Sequence, residues 1–195
     1  MSGEQMHAKG ADGARRAKIY LEATTRANVY WVNPADRAVP KLTFPWLSGG
    51  NFSFDMGGVL LGGDLEGQEF LAESKNYASA QDQGTHYLKF VAQCYRAFTL
   101  RPERCDNFVW IAWSPFLVTR WDELQTPAFV REGVLEHRGR VLGEADPDRA
   151  RELVDDDTTK AVADRLRMMF LSSWHEKLTP LRPDLFNLLN FERGL

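Results

Sequence analysis

The sequence predicts an α/β domain of three layers, a mixed central sheet between helices, with an added helical C-terminal region. Three observations lead there. Helical and strand-like hydrophobic periods alternate along the first 114 residues. The run Asn107 to Trp113, NFVWIAW, is almost continuously apolar, as in a strand buried on both faces. A glycine-rich hairpin lies between two runs of strand character, Phe52 to Asp55 and Glu69 to Lys75.

Residues 1–11 are expected to form a flexible, glycine-containing tail. The core is expected over 12–114 and a helical extension of the same domain over 115–195. Asp12 to Ala27 predicts the first helix, with Asp12 as its N-cap and Glu22 in its second half. Asn28 to Val32, NVYWV, reads as a short strand closed by Asn33-Pro34. Three prolines and a glycine pair make 33–50 a surface connection. The central hairpin follows, and then the period changes. Tyr87, Val91, Cys94, Tyr95 and Phe98 recur at helical spacing, so Gln81 to Thr99 predicts an amphipathic helix. After the Asn107 strand, Trp121–His137 and Thr158–Trp174 read as helices, with a solvated stretch between them and a final helix over the last 20 residues.

Strand parity concentrates the chemistry. Successive strand residues point to opposite faces, so Glu73 and Lys75 share one face while Phe70, Ala72 and Ser74 share the other. Asp55 lies opposite Phe52 and Phe54 by the same rule. If the two runs pair with their polar faces together, Asp55, Glu73 and Lys75 converge. Two carboxylates and an ammonium in one place can bind a divalent cation and hold a water beside it.

Composition narrows the classes. Hydrophobic residues make up 44% of the 195 and charged residues 26%, ordinary values for a globular chain. No apolar run approaches the roughly 20 residues of a membrane helix, and the N-terminus lacks a signal-like apolar core. No membrane partner and a cytoplasmic location are therefore expected. The two cysteines, Cys94 and Cys105, have neither zinc-site spacing nor the number of a disulfide scaffold. The net charge of −3 gives no global basic field, and nucleic acid would have to meet a local cluster. Arg15, Arg16 and Lys18 on the first helix, with Lys9 ahead of them, form the best such cluster.

Asp55, Glu73-Ser74-Lys75 eighteen residues on, a following helix and a buried strand together resemble the PD-(D/E)XK nuclease superfamily. The resemblance covers residues 12–114 in the order αβββαβ. Gln83 and Tyr87, the one Gln-x-x-x-Tyr in the chain, resemble an accessory motif of the exonuclease branch. Phe54 stands where the family often has proline. The resemblance implies a restriction-endonuclease-like fold and a metal-dependent endonuclease or exonuclease acting on DNA. Asp55, Glu73 and Lys75 would be its catalytic residues. Asp55, Glu73, the main chain of Ser74 and an extra acid, Glu22, would hold Mg²⁺ or Mn²⁺. A role in defence, restriction or mobile-element biology, a homodimer and a protein partner in a larger assembly are all compatible with it. The alternative is a catalytically silent or partner-activated nucleic-acid-binding or assembly protein on the same fold. A metal-independent acid/base hydrolase would explain the carboxylates but not Lys75. Asp64 is expected in a turn, and Glu66, Glu69 and His86 are expected to be peripheral or exposed.

Overall fold

The computed structural model describes residues 3–76 and 82–179. The first helix, α1 (Gly3–Thr24), takes in most of the segment expected to be a tail. Gly10 and Gly13 each cost a helix about 1 kcal/mol relative to alanine. Ala8, Ala11 and Ala14 favour the helix around them, and Ala14, Ala17 and Leu21 bury against the sheet. Gly13 also permits close approach, because a Cβ there would stand 3.1 Å from the Asn76 Cβ.

β1 (Ala27–Val32) is an outer strand of a five-stranded sheet. Residues 33–50 are more than a surface connection. They hold α2 (Val39–Leu42) and β2 (Thr43–Pro45), which pairs with β3 (Asn51–Ser53) in a separate two-stranded sheet. The prolines suggested exposure, but Leu42, Phe44 and Trp46 are buried, with Phe44 stacked on Phe52 and edge-on to Phe54. Apolar burial outweighs the turn signals here.

β4 (Met56–Leu60) contains the Gly57-Gly58 pair that the sequence suggested for the hairpin turn. A Cβ on Gly58 would sit 2.0 Å from the Asn28 carbonyl oxygen, so glycine lets β4 lie close against β1. The chain actually reverses at Gly62 and Gly63, whose φ angles of 74° and 63° are those that favour glycine. β5 (Glu69–Lys75) returns antiparallel to β4, with Met56 opposite Ala72. The partner of β5 is therefore the stretch after Asp55, not the 52–55 run. α3 (Gln83–Leu100) leads to β6 (Asn107–Ala112), parallel to β5 with Glu73 opposite Trp110.

The helix expected from Trp121 starts only at Pro127. A 3₁₀ turn covers Val118–Glu123, and α4 (Pro127–Glu136) opens with Thr126 accepting from the Phe129 N–H and proline in the first turn. α5 (Arg138–Val141), α6 (Pro147–Leu153) and α7 (Asp156–Ala163) follow. The expected Thr158–Trp174 helix breaks after Ala163. Leu166–Phe170 is β7, parallel to β6, and α8 (Ser173–Leu178) comes next. Leu166, Met168 and Met169 are helix formers by propensity, but β6 offers an edge of unpaired backbone groups that a strand can satisfy. The sheet thus extends beyond residue 114, and the C-terminal part is not purely helical. The Gln81 helix start and all but the first few residues of the final helix expected over the last 20 residues lie outside the described residues.

The result is a mixed α/β structure with strand order β1-β4-β5-β6-β7, antiparallel on the β1 side and parallel on the β7 side. α1 covers one face over Met56, Phe70, Ala72, Val109 and Ile111. The other face carries the larger core, in which Phe54, Tyr87, Phe90, Phe108, Trp110 and Phe129 meet. The alternation along β6 divides those residues between the two cores, as an all-apolar strand requires. Among the described residues no helix is long and apolar enough to cross a membrane. Cys94 and Cys105 are buried free thiols.

Candidate active site

Asp55 sits at the corner where the chain leaves β3 and enters β4. Its N–H donates to the Ala72 carbonyl at 3.0 Å, and its own carbonyl accepts from the Asn33 N–H at 2.9 Å. Because Met56 opposes Ala72, Asp55 is the residue opposite Glu73. The Ser74 N–H and hydroxyl both donate to Asp55 Oδ2, at 2.8 and 2.9 Å. The carboxylate is thereby fixed at the C-terminal end of β5.

Glu73 lies on the larger-core side of β5, as parity predicts. Lys75, two residues on, places Nζ 2.5 Å from Glu73 Oε1, both side chains being mostly buried. Glu73 Oε2 is buried and has no hydrogen-bond partner. Burial, followed by the Asp55 charge, pushes the Glu73 carboxyl up to about 7, against the opposing pull of Lys75 and Lys89. Two adjacent carboxylates, with one ammonium held at Glu73, leave a local excess of negative charge.

That geometry can be compared with what a hard cation needs. An ion between Asp55 and Glu73 would give the orphaned Glu73 oxygen a partner and offset the repulsion of the two carboxylates. The donor set fits Mg²⁺ or Mn²⁺ in type: carboxylate oxygens with room in the shell for water. Among the described residues no group of three or more His, Cys, Asp or Glu side chains is gathered as a metal site, so the protein share is two carboxylates plus main chain.

The remaining expected residues divide. Gln83 is buried in the first turn of α3, its amide donating to Ser114 Oγ at 2.5 Å just past the end of β6. Tyr87 belongs to the core. Its hydroxyl donates to the Leu124 carbonyl at 2.8 Å, its ring packs against Phe90, Trp110, Phe116 and Phe129, and burial pushes its phenol well up.

Glu22 is not brought to the pair. Its carboxylate accepts from the Val29 N–H at 3.3 Å and faces Lys18 at 3.5 Å. Val29 is level with Gly58 and hence Phe70, four residues back along β5 from Ser74, or about 13 Å at strand rise. The helix carries Glu22 past the site because it packs on the sheet from Gly13 near Ser74 towards β1.

The basic cluster is also divided. Arg15 is exposed and pairs with Asp12. Arg16 grips Glu176 of α8 with two nitrogens, donates to Asn76 Oδ1 at 2.9 Å and lies over the Trp113 ring. Lys18 donates to the Val29 carbonyl at 3.0 Å. These contacts hold α1 in place. Glu69 pairs with Arg104 at 3.1 Å, and Asp64 is exposed at the hairpin tip.

Sequence reasoning missed two residues. His86 was expected to be an exposed histidine, but it is half-buried. Burial, with the Lys75 and Lys89 charges, pushes its imidazole below the usual range. Lys89 lies close enough to act on both His86 and Glu73. Asp82, His86, Lys89 and Gln93 follow one another at four- and three-residue steps, and this polar row beside the apolar stripe was a signal present in the sequence.

No family model matches the chain, and no curated protein matches it. The chain is similar to the solved structure of a Moraxella osloensis Cap4 SAVED/CARF-domain containing receptor, at 9% identity and a TM-score of 0.42, over 92% of this chain and 36% of that one. The chain therefore spans about a third of that receptor's length.

Proposed function

We propose that this chain is a metal-dependent nuclease that hydrolyses phosphodiester bonds in DNA, with Asp55, Glu73 and Lys75 as its catalytic residues. One observation carries the reading: Asp55 and Glu73 stand side by side at the C-terminal end of β5, with Glu73 Oε2 buried and unpartnered and Lys75 on the other oxygen. Asp55 and Glu73, with the Ser74 main chain, would hold Mg²⁺ or Mn²⁺. The ion, when bound, lowers the pKa of a bound water and offsets charge on the scissile phosphate.

The chain's own residues supply the rest. Ser74 fixes the Asp55 carboxylate through two donated hydrogen bonds, so the ligand is oriented before substrate arrives. The Lys75 ammonium, held at Glu73, lies where it can donate to a phosphate oxygen or orient the attacking water. Gln83 ties α3 to the end of β6 through Ser114, which keeps the helix over the strand ends. The C-terminal ends of adjacent parallel strands are a common place for ligands in α/β sheets, and β5 and β6 end here together.

The test is cleavage of supercoiled plasmid, linear duplex, single strand and branched junction with Mg²⁺ or Mn²⁺, comparing wild type with Lys75→Ala and Asp55→Asn. Cutting that needs the metal and falls at least a hundredfold in both variants supports the reading. Binding without cutting by wild type would instead favour a nucleic-acid-binding role for the same fold.

A further inference from the structure

Lys89 stands apart from the other described lysines. Lys18, Lys75 and Lys160 face carboxylates, and Lys41 and Lys177 lie over tryptophan rings. Lys89 has no such contact among the described residues, although it is half-buried. A part-buried ammonium loses hydration, and an anion is what would compensate it.

Its place in the fold says where that anion would come from. The flank of α3 through Gly84 and Leu88 packs on Leu117 and on Gly133 of α4. At 100° per residue, His86 falls about 40° from Phe90, which faces the sheet, and Lys89 lies between His86 and the exposed Thr85, on the flank away from Leu88. Phe90 meets Phe54, the residue before Asp55, at a ring separation of 6.1 Å, and Arg96 donates to the Pro45 carbonyl at 3.2 Å. The small β2–β3 sheet thus lies along the C-terminal half of this flank. The N-terminal half carries His86 and Lys89; the Lys89 charge reaches Glu73, His86 and also His137 at the C-terminal end of α4, and the Lys75 charge reaches His86.

We propose that Lys89, with His86 one turn ahead of it, binds a backbone phosphate of DNA next to the phosphate held at Asp55, Glu73 and Lys75. This rests on the nuclease reading and adds the wall that holds the strand. Lys89 supplies a point charge and His86 a ring N–H, neither of which reads bases, so the grip is independent of sequence.

The experiment measures binding of labelled duplexes of two unrelated sequences in Ca²⁺ buffer over a range of salt, beside cleavage in Mg²⁺. Wild type is compared with Lys89→Ala, Lys89→Arg and the distant control Lys160→Ala. The expected result is three- to tenfold weaker binding by Lys89→Ala on both sequences, with the slope of log affinity against log salt smaller by about one. Lys89→Arg should recover most of the affinity and Lys160→Ala should match wild type, while Lys89→Ala raises KM more than it lowers kcat. If wild type binds and cuts DNA but Lys89→Ala keeps full affinity and slope, this inference fails alone. If wild type neither binds nor cuts DNA, it fails together with the nuclease reading.

Discussion

Asp55 and Glu73 are cross-strand neighbours, one position beyond the Met56–Ala72 pair that ends the β4–β5 ladder, and the second carboxylate has a buried oxygen with no partner among the described residues. Burial, followed by the Asp55 charge, raises the Glu73 carboxyl to about 7, and Lys75 offsets only part of that rise. The site is electrostatically unfinished, and its stability should depend on pH and on cations.

The sign follows from linkage. Glu73 has a folded value above its ordinary one of 4.5, so its contribution to stability is fully present below that value and is lost as pH rises to about 7. The loss should approach roughly 1 kcal/mol per pH unit between about 5 and 7. His86 and His137 are both pushed down, mainly by burial, and act in the opposite direction. The quantity to read is therefore the difference between wild type and Glu73→Gln in EDTA, by urea unfolding at several pH values. Wild type should lose ground to the variant as pH rises. Equal pH profiles would mean that Glu73 titrates normally.

Glu22→Gln should leave metal-dependent cleavage within about twofold of wild type. It accepts from the Val29 N–H and faces Lys18, and the effect of the change should be a stability loss of about 1 kcal/mol. A hundredfold loss of cleavage in a folded variant would put Glu22 back among the metal ligands.

Tyr87 should behave as a core residue. Tyr87→Phe removes only the hydrogen bond to the Leu124 carbonyl and should cost about 1 kcal/mol. Tyr87→Ala opens a cavity among four aromatic rings and should cost about 3–5 kcal/mol. Thermal melts give both values. Cleavage per folded molecule should be unchanged in Tyr87→Phe, and a selective loss of kcat there would show that the hydroxyl serves the reaction.

Local periodicity determined much of this protein. The two-residue period of a strand places Glu73 and Lys75 on one face and Ser74 on the other. The apolar run of β6 and the helical stripe of α3 announce burial before any fold is known, because burial leaves its mark on consecutive residues. Tertiary structure decided what depends on distant partners. Gly57 and Gly58 became strand rather than turn because β4 had to lie against β1. Leu166–Phe170 became β7 because β6 had an open edge. Glu22 was carried away from the Asp55–Glu73 pair by the direction in which α1 packs, whereas Gln83 was brought to Ser114, just past the end of β6, by the way α3 lies on the sheet. Period is written residue by residue, but which edge is paired, which flank is covered and which charge finds a partner are settled only when the layers come together.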